Sequence, residues 1–231
     1  GLPTYPITTT ATGNLGVGSN AVNSITTGDY NVGLGDNAGT AITTGSYNTA
    51  IGYNSAFANT TGENNTSVGR HSLYTNTTGS QNTALGRNAL GYNTTASNNT
   101  AVGYYALLQN TTGHNNTALG YESMKNNTTG NGRNVAVGAG SMYTNTTGYQ
   151  NTAVGYNSLR AHTTGYMNTA VGNDSLLSCA TGIENAALGH NALYFNTASK
   201  NTAMGAYAGN STTSGGNNTF VGASAGRANT T

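Results

Sequence analysis

The sequence predicts an all-β fold, a parallel β-solenoid or β-roll built of 17-residue coils. Three observations predict it. A short motif of the type NTAVG returns at a fixed interval along nearly the whole chain. Side-chain character within each motif alternates with the two-residue period of a strand. Large aliphatic residues are few, so an ordered chain must bury each one efficiently, as stacked coils do.

A glycine ends each motif and marks the repeat. Successive marker glycines are 17 residues apart, except for one interval of 18 and one of 16. The marker glycines are Gly18, Gly35, Gly52, Gly69, Gly86, Gly103, Gly120, Gly138, Gly155, Gly172, Gly189, Gly205 and Gly222. A period of this kind indicates a solenoid. We expect an irregular lead-in over residues 1–13, followed by one elongated array of thirteen units over residues 14–231.

The motif itself is the predicted strand of each coil. Its last residue before the marker glycine is always aliphatic or Met, and the residue two positions earlier is mostly Thr, with Leu15 and Val32 among the exceptions. Alternation places these two columns on one face. Because Thr is exchanged there for Leu and Val, we expect that face to point into the coil.

The column between them is held almost entirely to Gly, Ala and Ser, and it would then point outward. A small outward column suggests a second surface packed closely against it, so the sequence predicts a subunit contact. The residues predicted to form this contact are Ala50, Ala84, Ala101, Ala118, Ala153 and Ala170.

The rest of the unit is predicted to form bends and turns. Ser or Ala stands three residues after the marker glycine, followed in the middle units by Leu or Met, which predicts a second short strand or bend. The Asn-Thr-Thr-Gly segment has turn chemistry. One unit gains a residue after Gly130 and another loses one near Ser199, both between this turn and the next strand, where loops tolerate length changes. Dense Gly, Asn and Thr argue against helices.

Composition excludes several partners. Charged residues make up 6% of the chain and its net charge is +1, whereas soluble domains carry roughly 25% charged residues. Nucleic-acid binding needs a clustered basic surface, so we expect no nucleic-acid partner. Without an apolar run of about 18 residues, we expect no membrane insertion.

The sequence gives little support for a catalytic site or a metal-binding site. The histidines occupy different repeat columns, although a catalytic site assembled across coils stays open. Calcium-binding rolls stack acidic residues on successive turns, and here the acids are solitary. We therefore predict no enzyme, cofactor or metal site, and an inert thiol at Cys179. The residues concerned are His71, His114, His162 and His190, and Asp29, Asp36, Glu63, Glu122, Asp174 and Glu184.

Tyrosine is the more suggestive signal. The chain has 15 Tyr and no Trp, and Tyr53, Tyr104, Tyr121 and Tyr156 each follow a marker glycine. Exposed tyrosines stack on sugars and offer a hydroxyl, so these four are candidate surface-recognition residues. A ladder of rings that covers the rim of the core and stiffens the coils explains the same pattern, and we favour that interpretation.

The unit T-A-[VIL]-G followed by x-x-[SA] resembles the V-A-I-G-x-x-[SA] repeats in head domains of YadA-type trimeric autotransporter adhesins. It is also similar to the NTA-x-G and NTTG arrays of phage and bacterial tail-fibre-domain proteins. The resemblance implies a left-handed parallel β-roll that forms a homotrimer, with the small alanine column facing the threefold axis. The adhesin repeat is usually shorter, so one turn is expected to be enlarged here.

These features favour a non-enzymatic structural segment of a phage tail fibre or bacterial surface fibre, located in the virion or outside the cell. Its expected partners are copies of itself and, through a binding tip, a cell-surface glycan or receptor. The alternative is a ligand-binding β-solenoid that recognises carbohydrate or ice. Ice binding requires a flat outward ladder of Thr, and the inward orientation expected for the strand Thr argues against it.

Overall fold

The computed structural model describes residues 11–129 and 132–230. Its contacts divide the chain into two compact units, Gly1–His114 and Asn115–Thr231. The described residues form thirteen parallel strands of three residues each and no helix, which confirms the predicted β-solenoid. Residues 1–10 of the predicted lead-in, and Gly130 and Asn131 at the predicted insertion, lie outside the described residues.

The first unit contains six strands in chain order. Consecutive strands pair at an offset of one coil, as in Leu15 with Val32 and Thr83 with Thr100. The strands are β1 (Leu15–Val17), β2 (Val32–Leu34), β3 (Thr49–Ile51), β4 (Thr66–Val68), β5 (Thr83–Leu85) and β6 (Thr100–Val102).

The second unit contains seven strands and absorbs both length changes without disturbing the register. Thr117 pairs with Val135 across the long coil, and Ala186 pairs with Thr202 across the short one. Both changes fall outside the strands, as predicted. The strands are β7 (Thr117–Leu119), β8 (Val135–Val137), β9 (Thr152–Val154), β10 (Thr169–Val171), β11 (Ala186–Leu188), β12 (Thr202–Met204) and β13 (Thr219–Val221).

The marker glycine directly follows each strand, and its φ lies between 115° and 137°. The chain then bends through a run of turns in which non-glycine residues also take positive φ, such as Asn88 (60°) and Leu90 (50°). The predicted second strand or bend is therefore a left-handed bend. Bonds between coils hold it in place, because the Leu90 N–H donates to the Ala106 carbonyl at 3.0 Å.

The two faces of each strand are the reverse of the prediction. The small column points into the coil: Ala50, Ala84, Ala101, Ala118, Ala153 and Ala170 are fully buried within their own chain. The Thr and aliphatic columns point outward, and Leu34 and Leu188 are 47% and 48% exposed. The predicted subunit contact at the alanines is therefore wrong, because a side chain enclosed in its own coil cannot touch a partner.

The interior of the coil is too narrow for large side chains on the strand. A Cβ added to Gly33 would lie 2.8 Å from the Ala38 carbonyl oxygen and 2.9 Å from a methyl of Val22. The small column thus does face a closely packed surface, but that surface is the opposite wall of the same coil. Phe220 fits this column because Gly209 and Gly226 stand where most units carry Leu or Met, and a Cβ at either position would overlap its ring, at 2.6 Å in the case of Gly209.

Two ladders of buried asparagines line the interior. In the first, the asparagine before each strand accepts bonds from the next coil, as when Asn48 donates its backbone N–H and its amide to the Asn31 side-chain oxygen, both at 3.0 Å. The Asn48 amide also donates to the Gly62 carbonyl at 2.8 Å. Because these donors find acceptors in neighbouring coils, the ladder satisfies polar groups that the thin core would otherwise leave unpaired.

The second ladder runs through the asparagine of the NTTG turn. Asn76 donates to the Asn59 side-chain oxygen at 2.7 Å, and Asn93 repeats the bond to Asn76 at 2.7 Å. The same amides close the turn by donating to the carbonyl three residues ahead, which is Gly79 for Asn76. The turn prediction is confirmed, and its asparagine also links neighbouring coils.

Candidate functional site

The outward face, consisting of the first and third residues of the strands, contains no charged residue in either unit. The third position is aliphatic or Met in every strand, and the first is Thr except at Leu15, Val32, Val135 and Ala186. No hydrogen bond involves the hydroxyls of these strand threonines within the described chain, so they are directed to solvent. Large aliphatic side chains on this face, such as Leu85 and Met204, are exposed.

The tyrosines that follow the marker glycines lie beside this face, at the edge where the strands end. Tyr53, Tyr121 and Tyr156 are 49%, 55% and 57% exposed, as expected of recognition residues. Tyr104 is half-buried, since its ring lies 4.0 Å from that of Tyr105. The four predicted residues share one repeat column but not one environment.

The first unit gathers aromatic and basic side chains at this edge. We call this set the aromatic–basic cluster: Tyr53, Arg70, His71, Tyr74, Arg87 and Tyr104. The His71 ring lies 5.7 Å from Tyr53 and 4.9 Å from Tyr74. The Arg87 guanidinium carbon lies 5.4 Å from the Tyr104 ring centre, and one of its nitrogens donates to the Tyr104 hydroxyl at 3.3 Å. Arginine on an aromatic face is favourable, so the rings hold the cation in place.

The cluster has a positive potential that its own residues do not neutralise. Neither Arg70 nor Arg87 forms an ion pair with any described residue, and Lys125 with Glu122, at 2.7 Å, is the ion pair recorded elsewhere in the described chain. Burial lowers the pKa of His71, and the positive charges of Arg70 and Arg87 lower it further. An anion placed here would therefore be attracted.

Sequence reasoning missed Arg70 and Arg87 as candidate site residues. The signal was present, because Tyr53, Arg70, Arg87 and Tyr104 follow one another at the 17-residue period and so occupy one column. In the sequence, Arg70 and Arg87 are isolated charges, and only the register of the coils shows that they lie side by side.

The remaining polar candidates are not brought together. His114 accepts a bond from the Ser97 N–H at 2.9 Å, and His190 contacts Tyr207 edge to face at 5.1 Å. Across the described ranges, the acids, histidines and cysteine form no group of three that could hold a metal ion. Among these residues there is also no helix of the length and apolarity needed to span a membrane.

His162 and Cys179 replace asparagine in the second ladder. Both nitrogens of the buried His162 ring lie 2.8 Å from carbonyl oxygens, those of Cys179 and Gly165. A neutral imidazole has one N–H, so it can satisfy only one of them, and the buried Asn145 side-chain oxygen one coil earlier has no partner. Burial also raises the pKa of the Cys179 thiol to about 11, which agrees with the inert thiol predicted for it.

We expect His162→Asn to stabilise the second unit by about 1–2 kcal/mol, because the new amide can donate to Asn145 and Gly165 as ladder asparagines do elsewhere. The substitution should also make the free energy of unfolding less dependent on pH. Burial lowers the pKa of His162, partly offset by the two carbonyl oxygens. The unfolded state therefore binds the proton first, so stability is complete above the unfolded pKa of about 6.5 and falls as the pH drops below it.

Thermal unfolding of both proteins between about pH 5 and pH 8 measures this difference. His114→Asn is the matched control, because it removes an exposed histidine outside the ladder. Equal pH slopes for the wild type and His162→Asn would contradict the assignment.

Comparison with known proteins gives no relative from which a role could be taken: no family model, curated protein or solved structure matches the chain.

Proposed function

We propose that the chain is a non-enzymatic structural segment of a fibre, in which copies associate side by side through the outward face. The observation that carries this proposal is the row of threonine and aliphatic side chains, free of charge, on the outward face of every strand. A face of this kind gains free energy when it is removed from water. Nothing in the described chain covers it.

The extent of the outward face is sufficient for self-association. At about 4.8 Å per strand and 3.3 Å per residue, six strands present about 290 Å² and seven about 330 Å². The areas of the two units add up to about 620 Å² per chain, near the lower limit for a specific interface. Identical coils also let the strands of one copy meet those of another in register. A homotrimer around a threefold axis, as the resemblance implies, would now use this face in place of the alanine column.

A segment of this kind belongs in the tail fibre of a virion or in a fibre on a bacterial surface, where it spans distance and supports attachment. Each coil is held by hydrogen bonds to its neighbours, and the coils carry few charges. These properties favour a structural role. The proposed partners are other copies of the chain and a cell-surface receptor or glycan.

Ice binding is a second candidate because the strand threonines point outward, which removes the objection raised from the sequence. The neighbouring outward column is aliphatic, which favours contact with protein over ordered water. The two functions make opposite demands on the outward face. Self-association must cover it, whereas ice binding must leave it open.

Replacing Leu34 and Leu85 together with Lys is expected to abolish self-association. The wild-type chain should sediment at a multiple of its 23.3 kDa mass, three chains if the trimer is correct, and the double variant should be monomeric at the same concentration. Buried unpaired lysines in each copy would cost several kcal/mol per interface. Sedimentation equilibrium measures the masses, and circular dichroism confirms that the variant is folded.

The matched control is Thr44→Lys with Thr95→Lys. These exposed turn residues are separated by the same three coils as Leu34 and Leu85 but lie away from the outward face. The control should keep the wild-type mass. A wild-type chain that stays monomeric at every concentration would overturn the proposal, and thermal hysteresis in the same sample would then support ice binding.

A further inference from the structure

We propose that the aromatic–basic cluster of the first unit binds a linear anionic polysaccharide. Its tyrosine rings would stack on sugar rings, and Arg70 and Arg87 would pair with carboxylate or sulfate groups. This goes beyond self-association and does not depend on it, because the cluster lies at the end of the strands and not on the outward face.

The arginines are the stronger part of the argument. The Asn88 N–H donates to the Arg70 carbonyl at 3.0 Å, so Arg70 and Arg87 occupy the same position in adjacent coils. Like charges side by side repel each other, and neither forms an ion pair with an acid of the described chain. Both side chains are exposed. A planar guanidinium recognises carboxylate and sulfate through two parallel hydrogen bonds, so an anion would relieve the repulsion.

The tyrosines frame these charges along the stacking direction. Tyr53 precedes Arg70 by one coil and Tyr104 follows Arg87 by one, so the two rings are about 14 Å apart. His71 and Tyr74 extend the aromatic surface next to Tyr53 through contacts of 5.7 and 4.9 Å. Amphipathic rings of this kind stack on pyranoses while their hydroxyls reach sugar oxygens. A linear chain laid along the coils would therefore meet ring, charge, charge and ring in turn.

Nucleic acid fits the same edge less well. Single-stranded nucleic acid needs a continuous positive groove that follows many phosphates, and this column offers two adjacent cations. In the second unit the corresponding column contains Tyr121 and Tyr156 with Ala139 between them and no arginine. The Lys125 ammonium and the Arg160 guanidinium lie outside that column, 5.5 and 4.9 Å from the Tyr143 ring. The cluster is thus a local site.

The test is binding of the full chain by calorimetry to four probes: polygalacturonate, dextran sulfate, uncharged dextran and an oligothymidylate. We expect binding to at least one of the two anionic polymers and none to dextran. The carboxylate and sulfate polymers distinguish which anion is preferred. Arg70→Gln with Arg87→Gln should weaken that binding at least about tenfold, because two charge-assisted contacts are lost.

The control is Arg133→Gln with Lys200→Gln, which removes the same net charge at the opposite edge of the coils. It should change affinity less than about twofold if the site is local. Equal losses in the two double variants, or no binding to either anionic polymer, would overturn the proposal, as would tighter binding to an oligothymidylate. Sedimentation of the same samples reports self-association separately, so failure of the binding site leaves the fibre proposal intact.

Discussion

Replacing Gly86 with Ala is expected to destabilise the first unit by about 4 kcal/mol, although the change adds a single methyl group. Gly86 has a φ of 127°, which L-residues rarely adopt. A Cβ there would also lie 2.6 Å from the Gly103 carbonyl oxygen and 2.8 Å from its carbon. Backbone strain and steric overlap with the next coil therefore both contribute to the loss of stability. The overlap cannot be relieved easily, because the atoms in contact belong to the backbone and not to a flexible side chain.

Gly222→Ala separates these two costs. Gly222 takes a similar φ of 115°, but a Cβ there meets no atom within 4 Å. We expect it to lose only the strain, about 1–3 kcal/mol. Hydrogen exchange read at the coil that carries each substitution measures both free energies locally, which allows for fraying at the end of the stack. Equal losses would show that contact between coils is not what requires glycine.

The period, the strands and their register could be predicted from the sequence because each depends on local pattern. Thirteen marker glycines and an alternating motif placed every strand. Both length changes fell between strands because loops accept them. The asparagine ladders were only half predicted: turn chemistry explained the NTTG asparagine, whereas the asparagine before the strand was given no role, since its partners lie a full coil away in the chain.

The direction of the strand side chains could not be predicted from alternation alone. Alternation assigns residues to two faces but does not say which face is inside. Hydrophobicity suggested that Val17 and its equivalents were buried, but the space inside the coil is too small for their side chains. The opposite wall lies so close that a Cβ at Gly16 would be 2.6 Å from the Ala21 carbonyl oxygen. In a coil this thin, small residues fill the inside and larger aliphatic ones must lie outside.

That inversion separates the residues that hold the coil together from those that face outward. The glycine corners, small strand column and asparagine ladders leave almost no freedom inside the coil. The outward face, by contrast, has no structural task within its own chain. The column of Tyr53 and Arg70 is also unconstrained by the interior, so it can vary from coil to coil. Candidate sites should therefore be sought in outward columns whose residues break the repeat.

Replacing Asn82 with Ala is expected to destabilise the first unit by about 3 kcal/mol. The Asn82 amide donates to the Asn65 side-chain oxygen at 3.2 Å and to the Ala96 carbonyl at 2.9 Å, and its oxygen accepts the Asn99 N–H at 3.0 Å. Removing the side chain leaves that buried N–H without its acceptor and opens a small void. Urea denaturation measures the loss, and Asn23→Ala, at an exposed asparagine outside both ladders, should cost less than about 0.5 kcal/mol.

Asn82→Asp tests whether hydrogen bonding or volume is responsible. The carboxylate has nearly the shape of the amide but presents an oxygen to the Asn65 oxygen and the Ala96 carbonyl, so at pH 7 it should cost more than Ala. Burial among acceptors raises the pKa of the new carboxyl, and the protonated acid can donate where the amide did. The loss of stability caused by the aspartate should therefore become smaller as the pH falls through that raised pKa, and larger again as the pH rises. An aspartate variant as stable as the wild type at pH 7 would mean that the ladder fills space without carrying stability through its hydrogen bonds.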